Sequence, residues 1–159
     1  MQRCRLIYKS KSTSDVPSND EIRDIMRTAT RHNAEKGING LLVLSGDRFL
    51  QVLEGPYREV NALFSRIVRD PRHQEVELIT FEALETHYFD NWSMRLVDLY
   101  DLPSGPRELL TKKYTNRNGS ITIPDHIHEV YSLLLDAKAA CASSPGTPRT
   151  GSAEAASTG

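Results

Sequence analysis

The chain has 159 residues and a formal net charge of −1, with acidic and basic side chains interspersed. That length fits one domain with enough apolar content for a core. Without a block of like charge or a long apolar run, nothing calls for a nucleic-acid interface, a membrane surface or a transmembrane helix. Cys4 and Cys141 are the only cysteines and lie near opposite ends. The opening MQRCRLIYKS is too polar for a signal peptide, so a reduced cytoplasmic protein without a disulfide framework is expected.

Along the chain, strand and helix patterns alternate. Residues 4–10, rich in Leu, Ile and Tyr, read as a first strand. Ser18 and Glu21 have capping-box spacing, and Ile22, Ile25, Met26, Ala29 and Asn33 follow a helical stripe that Gly37 should stop. Strands over 38–44 and 48–54 flank Ser45-Gly46-Asp47-Arg48, a hairpin signal. Gly55-Pro56 opens a second helix with Val60, Leu63, Phe64, Ile67 and Val68 as its stripe, and Asp70-Pro71 ends it. Further strands are expected over 75–83 and 92–99, then helices over 105–113 and 124–140, the last with Ile127, Val130, Tyr131, Leu134 and Leu135 as its apolar stripe. Residues 142–159 contain no large apolar side chain and are expected to be a disordered tail.

The order βαββαββ predicts an α+β, ferredoxin-like fold: a five-stranded mixed sheet with two helices on one face and the two C-terminal helices on the other. Side chains alternate along a strand, so Leu6, Tyr8 and Ser10 share one face, as do Phe49, Gln51 and Leu53. Asn33 extends the buried stripe of the first helix. If these faces are the helix-covered ones, Tyr8, Gln51 and Asn33 converge between sheet and helix. They could satisfy one another or a buried water, or they could line a ligand pocket. Nothing in the side chains alone names the ligand.

Specific motifs go further. Gly37-Ile38-Asn39-Gly40-Leu41-Leu42 is followed by Phe49-Leu50-Gln51-Val52-Leu53-Glu54-Gly55, by Asp70-Pro71-Arg72-His73 and by Phe89-Asp90-Asn91-Trp92-Ser93-Met94. With Leu6-Ile7-Tyr8-Lys9-Ser10 and Asn33, this succession over residues 3–100 resembles the BLUF family, sensors of blue light using FAD. The helical extension over 101–141 is similar to that of the short members, which act through a separate partner protein and tend to be homo-oligomers. The resemblance implies a flavin-binding domain over 1–100 and a non-covalent flavin, FAD in preference to FMN. It implies that Tyr8 donates an electron and a proton to the excited flavin, and that Gln51 bridges Tyr8 to N5 and the C4 carbonyl. Asn33 would hold the polar edge of the ring, with Arg72, His73 and His32 near the ribityl and phosphate portion. Trp92 and Met94 occupy the position where the family varies, and either could face the flavin. The stretch His32-Asn33-Ala34-Glu35-Lys36, read as a loop, departs from the second Asn and the Arg of many members.

The output is expected to run from Gln51 through the fifth strand to the helices over 105–140. Two other functions compete with the photoreceptor: a dark flavin-dependent enzyme and an interaction module without cofactor. The histidines have no zinc-like spacing, so no metal is expected. Glu54 has no partner acid at a useful spacing and reads as structural.

Overall fold

The computed structural model describes residues 2–13, 18–85, 94–115 and 121–143. The expected disordered tail and Trp92 therefore lie outside the described residues, apart from the end of the last helix. The element order is β1 (Arg3–Ser12), α1 (Asn19–Lys36), β2 (Asn39–Ser45), β3 (Arg48–Pro56), α2 (Tyr57–Arg69), β4 (His73–Ala83), β5 (Arg95–Asp98), α3 (Ser104–Tyr114) and α4 (Ile127–Ser143). The strands form one sheet in the order β4-β1-β3-β2-β5. All neighbours are antiparallel except β2 and β5, which run parallel. This is the expected ferredoxin-like α+β arrangement.

Local chemistry explains the boundaries. The Ser18 hydroxyl accepts from the Glu21 amide at 3.1 Å, and the Glu21 carboxylate accepts from the Ser18 amide at 3.0 Å. Two orphan donors at the start of α1 are thereby satisfied. At its end Gly37 is left-handed, with φ 69°, and the Ile38 amide returns to the Asn33 carbonyl at 2.8 Å. Residues 32–36 are thus the last turn of α1 and not a loop, because the left-handed residue that ends the helix comes only at position 37. Gly46 takes φ 62° in the two-residue connection between Ser45 and Arg48. Asp70 has the extended ψ of 121° that a following proline favours, and α2 stops there. Among the described residues β5 is regular over Arg95–Asp98, residues 92–93 of the expected strand lying outside them; Leu99 still donates its amide to the Leu44 carbonyl at 2.9 Å but belongs to a turn. α4 starts at Ile127, later than expected, and continues through Ser143.

Two cores flank the sheet. Cys4, Leu6, Tyr8, Leu42, Leu44, Phe49, Leu53 and Met94 face α1 and α2. Ile7, Leu41, Val43, Leu50, Val52 and Val97 face α3 and α4, meeting Leu110, Val130, Leu133 and Leu134. The central strands are therefore buried on both faces, and the C-terminal helices share a core with the sheet. The β1–β4 pairing shifts register between Ile7 and Tyr8 and again between Lys9 and Lys11. The second irregularity carries Glu75, the one non-glycine residue with positive φ among the described residues. Bulges of this kind re-aim side chains next to functional sites. No helix among the described residues is long and apolar enough to cross a membrane.

Gly40 marks a close approach of backbones. A Cβ there would sit 2.2 Å from the Val52 carbonyl oxygen and 3.0 Å from Met94 Cε. Gly40→Ala is expected to lower the unfolding free energy by about 1–3 kcal/mol or more. Urea denaturation checks this as a shift of midpoint at unchanged m-value.

Candidate functional site

The antiparallel register of β1 and β3 sets Tyr8 directly opposite Gln51. Both are buried, on the face covered by α1 and α2. The Tyr8 hydroxyl donates to Gln51 Oε1. The other end of the amide, Nε2, donates to Met94 Sδ at 3.5 Å. A thioether is a weak acceptor, so the oxygen end of Gln51 is held more firmly than the nitrogen end. Burial pushes the Tyr8 hydroxyl well above the ordinary phenol range, and the charge of Asp70 adds to the effect. The phenol is neutral at any physiological pH. Its ring packs against Phe64, with centroids 5.5 Å apart, and against the edge of His73 at 6.3 Å.

Asn33 comes from the last turn of α1 and is 1% exposed. Its backbone carbonyl serves the helix end, but neither Nδ2 nor Oδ1 of its side chain has a hydrogen-bond partner among the described residues. A buried polar group in that condition typically costs about 1–3 kcal/mol. Tyr8, Asn33 and Gln51 line one cavity of ≈ 210 Å³ between the sheet and the two helices. Ile25, Ala29, Leu42, Phe49, Leu63 and Ile67 form its apolar walls.

The corner between α2 and β4 closes one side. His73 Nε2 faces the Ile67 carbonyl, which can only accept, so that nitrogen carries a proton. In the neutral ring Nδ1 then accepts from the Ser10 hydroxyl at 2.9 Å. The imidazole is thus fixed at both nitrogens, pinning the end of α2 to β1. Arg72 donates from Nε to both carboxylate oxygens of Asp70 at 3.0 Å. Those bonds hold the Asp70 carboxyl below the usual carboxylate range against the opposing effect of burial. His32 is half-buried and also lines the cavity.

Six of the eight expected site residues, Tyr8, His32, Asn33, Gln51, Arg72 and His73, therefore line the same cavity. Met94 touches Gln51 from the side, and Trp92 lies outside the described residues. Thr28, Arg66 and Asp70 also line the cavity and were not expected as site residues. Arg66 falls one residue before the apolar pair Ile67-Val68, so a helical pattern reads it as an ordinary exposed charge. A flavin ring, apolar on its faces and polar along one edge, fits this donor and acceptor set. The unpartnered Asn33 amide is the observation that favours the fit. Among the described residues no group of three or more His, Cys, Asp or Glu could hold a metal ion.

The Asp70 clamp gives a pH dependence with a definite sign. Because its folded pKa is depressed, its contribution is present above the ordinary carboxyl pKa of about 4 and is lost as pH falls through the lower folded value. Asp70→Asn is expected to cost up to about 1 kcal/mol near neutrality, the pair being partly exposed. Denaturation curves at descending pH should show the variant and the parent converging.

The family model described as "Sensors of blue-light using FAD", BLUF, matches residues 4–95. The chain is 32% identical over 94 residues to the blue light- and temperature-regulated antirepressor BluF of Escherichia coli (strain K12), an alignment covering 59% of this chain and 23% of that protein. It is 34% identical over 92 residues to photoactivated adenylate cyclase subunit beta of Euglena longa, covering 57% of this chain and 11% of that one. The chain thus spans under a quarter of the length of these relatives. Among solved structures, the dark state of the BLUF protein BlrB superposes with a TM-score of 0.66 at 29% identity, over 89% of this chain and 97% of that one. With the family model matched over more than half of its length and the Tyr8–Gln51 cavity in place, this chain belongs to the BLUF family of flavin-binding blue-light sensors.

Proposed function

We propose that Tyr8 and Gln51 are the switching pair of this sensor, that its ligand is FAD in preference to FMN, and that the switch is read by a partner protein through α3 and α4. The observation that carries the reading is the Tyr8–Gln51 hydrogen bond in a cavity whose third polar wall is the unpartnered amide of Asn33.

When bound, a flavin supplies absorption of blue light and, once excited, an oxidising strength that its dark form lacks. The residues supply the rest. Tyr8 is a neutral, desolvated phenol whose proton already points at Gln51 Oε1. Removing an electron from a phenol acidifies it sharply, so the proton can pass along that existing bond. An amide has an acceptor at one end and donors at the other. Gln51 can therefore accept that proton at Oε1 while giving one up from Nε2, and once an electron and a proton return to Tyr8 it can settle rotated or tautomerised, because its hold on Met94 Sδ is weak. His73 and Phe64 hold the Tyr8 ring in place meanwhile. The lit state would be a rearranged set of hydrogen bonds, and Asn33 would hold the polar edge of a bound ring beside Gln51.

The cavity of ≈ 210 Å³ is smaller than the roughly 300–1,000 Å³ of sites that enclose a whole ligand. It suits a ring end, with the tail passing Arg66, Arg72 and His32 at the mouth. Arg72 is held by Asp70, so Arg66 carries the positive charge toward a phosphate there, and the preference for FAD follows the family description. No enzymatic turnover is proposed. The buried carboxylate of Glu54 lies on the opposite sheet face, bonded to Arg5. The free thiols of Cys4 and Cys141 fit a reducing cytoplasm. Exposed Leu109 on α3 and Leu135 on α4 suit self-association or a protein partner, with no part for a membrane or nucleic acid.

Purified protein should be yellow and should show a small, reversible red shift under blue light. Colour without a red shift would point instead to a dark flavin enzyme, and no colour to an interaction module. Tyr8→Phe and Gln51→Leu are each expected to keep the flavin and lose the red shift. Asn33→Ala and Arg66→Ala are expected to weaken binding about tenfold. Titration should show the Arg66 effect with FAD and not with riboflavin.

A further inference from the structure

A buried charged seam lies on the sheet face turned away from the cavity. Arg5 and Glu54 are directly opposed in the β1–β3 register, three residues from Tyr8 and Gln51, which are opposed in the same two strands. The odd spacing sends one pair toward α1 and α2 and the other toward α4. Arg5 is 6% exposed and Glu54 1%, and Arg5 Nη2 donates to Glu54 Oε2 at 3.1 Å. Tyr131 of α4 closes over the pair. Its hydroxyl accepts from Arg5 Nη1 at 3.4 Å and donates to Glu82 of β4. Its ring lies under the guanidinium, 5.6 Å from carbon to centroid. One side chain of α4 is thus tied directly to β1 and β4, and through Arg5 to β3.

Burying an ion pair is a poor way to gain stability, because apolar residues of the same size often do as well or better. Its better-attested use is to fix the relation of one element to another. Here it fixes α4 to the two strands that carry the switching residues. Burial opposes the charge of Arg5, yet the bonds to Tyr131 and Glu54 more than offset it and hold its pKa above the ordinary arginine value. Burial and the bond to Glu82 push the Tyr131 hydroxyl up to about 12, so it keeps its proton throughout the physiological range.

We propose that Arg5, Glu54 and Tyr131 form a latch through which the state of the Tyr8–Gln51 pair is transmitted to α4, with Tyr131 as its positioning residue. The inference rests on the reading of Tyr8 and Gln51 as the switching pair. A rotated Gln51 amide changes what holds β1 to β3 at that register position. Any accompanying change in spacing or tilt of the two strands arrives three residues on, at a charge-assisted bond that is sensitive to both distance and angle. This route runs through the two strands that carry the pair, whereas β5 is an edge strand bonded only to β2.

The test uses the full chain with FAD bound and two readouts, the flavin red shift and the ratio of lit to dark amide exchange over residues 127–143. Tyr131→Phe deletes the hydroxyl and keeps the ring. Arg5→Lys keeps the charge and loses the planar fork that reaches Glu54 and Tyr131 together. In the parent, illumination is expected to change α4 exchange by about fivefold or more, and in either variant by less than about twofold with the red shift retained. Simple loosening of α4 would raise exchange in both states and leave the ratio unchanged. A normal red shift with an undiminished ratio in both variants overturns the latch, as does a parent whose red shift is normal while α4 exchange is the same in light and dark. A parent with flavin bound but no red shift removes the switching reading itself, and the latch falls with it.

Discussion

The register between β1 and β3 is the constraint on which the rest of this molecule depends. It places Tyr8 against Gln51 on one face and Arg5 against Glu54 on the other. A slip of one residue would send each of these side chains to the opposite face and leave buried polar groups without partners. The flanking sequence guards against that slip. Leu6 and Leu53 must reach the α1–α2 core, while Ile7 and Val52 must reach the α3–α4 core. Hydrophobic burial on two faces thus holds in place a polar contact that could not hold itself.

The helices have unequal tasks around that centre. α1 brings an amide to the cavity from its last turn, and its position depends on a left-handed glycine just beyond it. α2 contributes apolar wall and a terminus tied to β1 through His73. Both helices thus tie their ends of the cavity to the sheet, while the Gln51 amide is held firmly at its oxygen and weakly at its nitrogen. α4 meets the opposite face, where charge and packing together set its seating. On the proposed function, the two sheet faces would separate reception from output, with the central strands common to both.

Much of this was legible in the sequence because it rests on local rules. Ser18, Glu21 and Gly37 announce the ends of α1 by capping chemistry, and Gly46 announces the hairpin by backbone freedom. Strand alternation was enough to set Tyr8 and Gln51 inward, and helical spacing did the same for Asn33. Other features were hidden because they depend on what lies opposite. Arg66 and Thr28 acquire meaning only when α2 and α1 are set side by side over the sheet. The shifts of register around Tyr8 arise from pairing with β4, and nothing in β1 alone calls for them. The pairing of Arg5 with Glu54 needs the register of two strands and the arrival of Tyr131 from far along the chain. The apolar pattern of β5 does not mark its end, because Leu99, though buried, already belongs to the turn that follows.

The amide of Asn33 has a consequence outside signalling. A group buried at a cost, with bonds that a ligand can complete, ties the stability of the folded chain to ligand concentration by mass action. Folding and loading would then be linked equilibria, and the pool of intact protein would follow the supply of cofactor. Chains made when flavin is scarce spend more time open and are the first exposed to proteolysis. If Asn33 seats the cofactor as proposed, the same side chain would also keep blind receptors few.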